Sequence, residues 1–264
     1  MKKLFVTTPS FLNLLNPVSD SYVLDFSLMD SQIKEEYYTN KREVNQLLIN
    51  FPRTIGNTID YDCLDDYITH VKLLQPEIVI LPSLLERCEK TNEIVSYWKE
   101  HAPSTITAGT IEATSYEQIL TSYNFLKNNV DIIVFDTLFF NSNEIFQENI
   151  NTDLGLAYSK SREKIIDYLI SQEVFDTSKQ HYLVSLGSPS DLNLIKTRNY
   201  ITGVLTRLPS WYSVRGETMS NTTSIFQYDI GMDYLMKRDD NDEDSAILER
   251  INNSVDYLRQ AIEP

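Results

Sequence analysis

Two hydrophobic rhythms alternate along the chain. Short, nearly continuous apolar runs, such as Ile78-Val79-Ile80-Leu81 and Ile132-Ile133-Val134-Phe135, are separated by longer stretches in which apolar residues return every three or four positions. A strand covered on both faces requires the first pattern, and a helix packed by one face requires the second. The runs predict strands at Lys3–Thr7, Tyr22–Phe26, Glu77–Leu81, Thr105–Ala108, Asp131–Phe135, His181–Leu186 and Tyr200–Leu205. The periodic stretches predict helices at Asp60–Leu74, Lys90–His101, from Ser115 onward, Ser161–Ser171, Ser190–Lys196 and Ser245–Ile262. Their start signals are chemical: Ser115-Tyr116-Glu117-Gln118 has the spacing of a capping box, and Pro189-Ser190-Asp191 opens the short helix near the end.

Strand and helix alternation is the signature of βα units around a parallel sheet. With a possible eighth strand around Ser224–Tyr228, the count fits an α/β fold of the (β/α)8, TIM-like barrel type as a single domain over residues 1–264. A doubly wound open parallel sheet is the alternative. Nothing in the composition marks a linker. The run Arg238-Asp239-Asp240-Asn241-Asp242-Glu243-Asp244 reads as a solvated acidic loop (238–244) before the closing helix (245–262), since it lacks the Gly and terminal Glu of a calcium loop. In a barrel, chemistry gathers at the C-terminal ends of the strands.

Composition narrows the chemistry. Twenty-three Lys and Arg against 38 Asp and Glu give a formal charge of −15, which repels phosphate backbones and anionic membranes, so a nucleic acid would need a local basic patch. Only seven glycines occur, and their spacing excludes both the dinucleotide fingerprint and the Walker loop. Two cysteines, Cys63 and Cys88, and three histidines have no zinc spacing, so no metal and no cofactor is expected. Met1-Lys2-Lys3 is followed by an apolar stretch interrupted at Thr7-Thr8-Pro9-Ser10, and no later run could span a bilayer. These features predict a cytoplasmic protein with no membrane partner.

Four places carry candidate chemistry. Asp25 follows the apolar Tyr22-Val23-Leu24, where a carboxylate either acts or caps the next turn. Asp136 ends the most apolar strand, a position that reads as functional in a barrel. Glu112 follows Ala108-Gly109-Thr110-Ile111 and serves either a site or the next helix start. Trp211 and Tyr212 between Arg207 and Arg215 interleave aromatics with cations, as a base-stacking, phosphate-holding patch or as a packed aromatic loop. His181 opens a strand at the opposite, stability face and reads as a half-buried structural residue.

Taken in order, the strand ends read Leu24-Asp25-Phe26-Ser27, Leu81-Pro82-Ser83, Ala108-Gly109-Thr110, Leu186-Gly187-Ser188-Pro189-Ser190-Asp191-Leu192 and Leu205-Thr206-Arg207-Leu208-Pro209. With Arg162, this series resembles the tRNA-guanine transglycosylase superfamily, including relatives that insert 7-deazaguanines into DNA, over about residues 20 to 220. The resemblance implies exchange of a nucleobase by one Asp as nucleophile, a second as acid/base and a third reading the base. Asp25 falls on the first family motif, although Phe26-Ser27 replaces its Ser/Asn-Gly. The base-reading Asp falls on Ser83, the Gln of a Gln-Gly pair on Ala108 beside Gly109, the Leu-Gly on Gly187, and the nucleophile on Leu205. Gly187 is equally readable as a tight-turn glycine.

An apolar side chain at 205 cannot form a glycosyl ester, and residues 200–209 contain no Asp or Glu. The resemblance therefore implies a barrel acting as a non-catalytic binding or regulatory subunit linked to base modification. The alternative is an active base-exchange enzyme with relocated carboxylates, Asp25 and Asp136 catalytic, and Ser83, Gly109, Glu112, Gly187, Leu205, Arg207, Trp211, Tyr212 and Arg215 around the ligand. Expected partners are a nucleobase-like ligand or nucleic acid, and either a catalytic subunit or a second copy.

Overall fold

The computed structural model describes residues 2–7, 21–26, 46–51, 56, 58–136, 154–184, 189–206, 208–220 and 243–263. Eight parallel strands close on themselves: β1 (Lys3–Thr7), β2 (Ser21–Asp25), β3 (Gln46–Asn50), β4 (Ile78–Ile80), β5 (Ile106–Thr110), β6 (Ile132–Phe135), β7 (Gln180–Val184) and β8 (Ile201–Thr206). β8 pairs with β1, Leu205 opposite Phe5, so the sheet has no edge and the barrel replaces the open-sheet alternative. The helices among the described residues are α1 (Tyr61–Leu74), α2 (Cys88–His101), α3 (Tyr116–Asn129), α4 (Leu154–Ser171), α5 (Pro189–Thr197), α6 (Leu208–Ser213) and α7 (Asp244–Ile262).

Seven strands match the sequence reading to within one or two residues at most ends. The one without a sequence counterpart is β3, and the strand expected around Ser224–Tyr228 lies outside the described residues. Gln46-Leu47-Leu48-Ile49-Asn50 has one β-branched residue and two leucines, so its local pattern does not separate strand from helix. Only pairing with β2 and β4 fixes it. α4 starts at Leu154, seven residues before the predicted Ser161, and α6 was not predicted, being six residues with a proline inside. Of the acidic run, Glu243 precedes α7 and Asp244 opens it, while 238–242 lie outside the described residues.

Capping explains several boundaries. The Asp60 carboxylate accepts from the Cys63 N–H at 3.0 Å, starting α1, and the Ser115 hydroxyl accepts from the Gln118 N–H at 3.3 Å, starting α3. The Gln118 side chain reaches back to the N–H of Thr114, one residue earlier than a capping box requires.

Register parity sorts the residues into two apolar layers. Phe5, Leu48, Ile78, Ile80, Ala108, Ile132, Val134, Tyr182, Val184 and Leu205 fill the barrel. The alternate residues, among them Val6, Ile49, Val79, Ile133 and Leu183, pack outward on the helices with Tyr67, Trp98, Tyr123 and Leu258. One position is sterically dictated. A Cβ at Gly203 would lie 2.5 Å from the Tyr182 ring, so glycine there makes room for the largest side chain inside the barrel.

Candidate functional site

At the C-terminal ends of the strands the inner face turns from apolar to polar. Two residues beyond inner Leu48 stands Asn50, two beyond Ala108 stands Thr110, and two beyond Val134 stands Asp136. Asp25 holds the register position opposite Asn50, and Asn50 in turn lies opposite inner Ile80. Asn50 and Asp136 are half-buried, whereas Thr110 is buried. Ile80, Ala108, Val134, Val184 and Leu205 form the apolar floor below this rim.

The β2–β3 corner is braced from outside. Phe26 follows Asp25 and Phe51 follows Asn50; their rings stack at 5.5 Å and 23°, and both lean on Tyr67, at 4.8 and 5.0 Å. The Tyr67 hydroxyl, fully buried, donates toward the carbonyls of Ile80 at 3.0 Å and Ile49 at 3.4 Å. Phe26, which the resemblance makes a departure from the family motif, is thus a packing residue on the helix side of the strand.

The β4–β5 corner is organised by a buried carboxylate. Glu112 is inaccessible to solvent, and its Oε2 accepts from the N–H of Glu86 at 3.3 Å. Glu86 has φ +60°, a left-handed conformation disfavoured for any residue with a Cβ, so this bond helps hold a strained loop. The loop begins with Leu81-Pro82-Ser83, of which Ser83 is buried, and the Leu84 N–H donates to the Thr91 hydroxyl at 3.1 Å. Burial, with Glu89 and Glu112 nearby, pushes the Cys88 thiol up and disfavours its thiolate. Gly109 faces away from any ligand: a Cβ there would lie 2.6 Å from Leu126 and 3.2 Å from Val130 on the helix side, so the glycine serves strand–helix packing rather than ligand approach.

Behind the end of β7, Arg162 of α4 and Asp191 of α5 form a solvent-inaccessible ion pair at 3.4 Å. The same guanidinium donates to the Val184 carbonyl at 2.9 Å, tying both helices to the last residue of the strand. Beyond β8, the Leu208 N–H donates to the Thr206 hydroxyl at 3.1 Å and Pro209 has no N–H, so α6 offers few first-turn donors to an anion. The Arg215 guanidinium lies 4.3 Å from the Trp211 ring centre, and Tyr212 meets Trp211 edge-on at 4.8 Å. Tyr212 is itself buried in the core, which removes it as a stacking surface for a base.

The expected residues thus fall into groups. Asp25 and Asp136 occupy strand-end positions, Glu112 and Ser83 lie buried in the loops above β5 and β4, and Leu205 is a floor residue. Gly187 and Arg207 lie outside the described residues. Asn50 and Thr110 were missed. The 46–50 segment has no distinct strand pattern, and Thr110 lies two residues past the expected strand Thr105–Ala108. The available signal was the i, i+2 step from Leu48 and Ala108.

Among the described residues, no group of three His, Cys, Asp or Glu side chains could hold a metal ion, and no helix is long and apolar enough to cross a membrane. No protein-family model and no curated protein sequence matches the chain. Among solved structures it is similar to a proposed isomerase of Sinorhizobium meliloti in an open-loop conformation, at 7% identity and a TM-score of 0.48 over 78% of this chain and 50% of that one. It is also similar to the N-(5'-phosphoribosyl)anthranilate isomerase of Pyrococcus furiosus, at 8% identity and a TM-score of 0.44 over 97% of this chain and 100% of that one. The chain therefore spans half the length of the first and all of the second.

Proposed function

We propose that the chain is a transglycosylase-like barrel that binds a nucleobase without exchanging it, as a binding or regulatory subunit in nucleic-acid base modification. The observation that carries this reading is the place of Leu205. It packs at 3% exposure in the apolar floor with Phe5 and Val184, at the strand position to which the resemblance assigns the nucleophile. A carboxylate there would face a dry apolar layer, and leucine offers no lone pair to a sugar carbon.

A second reading, base exchange by relocated carboxylates, is favoured by one feature. Glu112 and Asp136 each stand two residues beyond the paired Thr110 and Val134, on neighbouring strand ends.

One assay separates the two. The protein is incubated with radiolabelled guanine and either tRNA or duplex DNA, while its affinity for guanine and 7-deazaguanine is measured in parallel. The expected result is base binding with no incorporation of label. Incorporation that disappears in Asp136→Asn would overturn the non-catalytic reading in favour of the second, and absence of base binding would overturn both.

A further inference from the structure

We infer that a groove in the helical layer, along α2 between α1 and α3, docks a basic, arginine-bearing segment of a partner protein in an extended conformation. The inference is independent of the nucleobase-binding reading, because the groove is lined by helix residues alone and shares none with the strand ends.

The groove has a volume of about 400 Å³ and is walled by one face of α2, with Tyr61 contributed by α1 and Phe125 by α3. Glu89, Glu93 and Glu100 fall on that face at helical spacing, and all three are exposed. From Glu89 to Glu100 the stripe runs about 16 Å, the reach of about five residues of extended chain. Glu89 and Glu93 are one turn apart, about 6 Å, close to the step between alternate residues of an extended segment, so side chains on one edge of that segment meet successive carboxylates. Glu89 and Glu100 make no ion pair among the described residues. Glu93 already holds an ammonium, that of Lys90 at 2.8 Å, in an exposed pair that an incoming guanidinium can displace.

Aromatic rings and an amide make the stripe more than a row of charges. Tyr61 is 45% exposed, and its ring meets that of Tyr97 at 5.1 Å and 57°. Tyr97 is fixed in turn: its hydroxyl donates to Asp65 of α1 at 2.8 Å, and its ring stacks on His101 at 4.0 Å and 16°. A rigid ring platform beside carboxylates suits a guanidinium, whose plane stacks on an aromatic face while its N–H fork engages the acids. Asn92 lines the same groove, and its side-chain oxygen, shielded from water, accepts no hydrogen bond among the described residues. A donor-rich guest supplies that missing partner. The carboxylates repel phosphate backbones and anionic lipids, and a polyamine lacks the planar fork, so the complementary guest is a basic protein segment.

The test titrates the full chain into a fluorescently labelled peptide, Gly-Arg-Ser-Arg-Ser-Arg-Gly, and separately into spermine, at about 0.15 M salt to screen long-range attraction. Three variants accompany the wild type: the groove triple Glu89→Gln, Glu93→Gln and Glu100→Gln; Tyr61→Ala; and a control triple on α4 and α7, Glu163→Gln, Glu249→Gln and Asp256→Asn, which removes as much charge from exposed positions elsewhere. The expected result is peptide binding that weakens about ten-fold in the groove triple and about three-fold in Tyr61→Ala, and changes less than about two-fold in the control. Circular dichroism and melting check each fold, and Tyr61→Ala carries the test should the groove triple unfold. Equal losses in the two triples would assign the binding to net charge and overturn the inference, as would a wild type that does not bind the peptide. Spermine bound as tightly as the peptide, or a wild-type dimer that the groove triple dissociates, puts another occupant in the groove and also overturns it.

Discussion

The two ends of the barrel handle buried polar groups in opposite ways. At the N-terminal end, polar atoms are absorbed into aromatic packing. His181, fully buried, is stacked on Phe175 at 4.5 Å and hydrogen-bonded through Nε2 to the Tyr123 hydroxyl at 3.1 Å. That hydroxyl in turn accepts from the Asp176 N–H at 2.9 Å, and Lys2 and Lys179 donate to the carbonyls of Arg198 and Val130. At the C-terminal end, polar residues follow an apolar floor along the strands, and the β2–β3 corner is braced from behind. The lesson is a contrast: one end absorbs its polar groups into aromatic packing, whereas at the other Asn50 and Asp136 stay half-buried at the strand ends.

The sharpest way to break this contrast is at Arg162 and Asp191, a buried charge pair behind the end of β7. Arg162→Ala withdraws the guanidinium from the buried Asp191 carboxylate and releases the Val184 carbonyl. The expected cost is about 3–5 kcal/mol, read by chemical denaturation. A double variant, Arg162→Met with Asp191→Leu, should recover most of that loss, because it removes both desolvated charges together.

Acid probes the opposite end. Burial lowers the His181 pKa to about 4, with the surrounding backbone acting weakly in the other direction, so the folded protein keeps the ring neutral where the unfolded chain protonates. Between pH 6.5 and 4 the unfolded state therefore binds more protons. The contribution is complete above the unfolded pKa and is lost as pH falls through that window, by about 3 kcal/mol in all. Denaturation at a series of pH values should show this slope in the wild type and a shallower one in His181→Gln. Equal slopes would mean that His181 is not the group responsible.

Smaller effects test packing and polarity separately. Gly203→Ala forces a methyl against the Tyr182 ring and should cost about 1–3 kcal/mol in thermal or chemical melts. Tyr123→Phe deletes the hydroxyl that serves both His181 and Asp176, and should also cost about 1–3 kcal/mol. Burial pushes that hydroxyl up to about 12, so it remains a neutral donor throughout the pH range of such melts. Least of all, Asn50→Ser and Asp136→Asn should change stability by about 0.5 kcal/mol, since both residues are half-buried at strand ends and each substitution keeps a polar side chain of similar or smaller size. Large losses at the rim would erase the contrast between the two ends.

Much of this was legible in the chain. The unbroken apolar runs at 78–81 and 132–135 can only be strands covered on both faces, and Asp60 and Ser115 announce their helices by the hydrogen bonds their side chains can make. Gly109 and Tyr212 were not: one approaches Leu126 and the other enters the core, and both facts depend on residues distant in sequence. The same holds for the pairing of Asp25 with Asn50.

The sequence by itself determined the class of the fold and the polarity of its strand ends, because hydrophobic period and side-chain chemistry are local properties. Only the tertiary structure decided that Gln46–Asn50 is a strand, that its last residue stands level with Asp25, and that Phe26 braces the corner from behind. Those outcomes arise from closing the sheet. An ambiguous five-residue segment becomes a strand when the gap between β2 and β4 supplies hydrogen-bond partners on both sides, and closure sets which of its residues face the mouth.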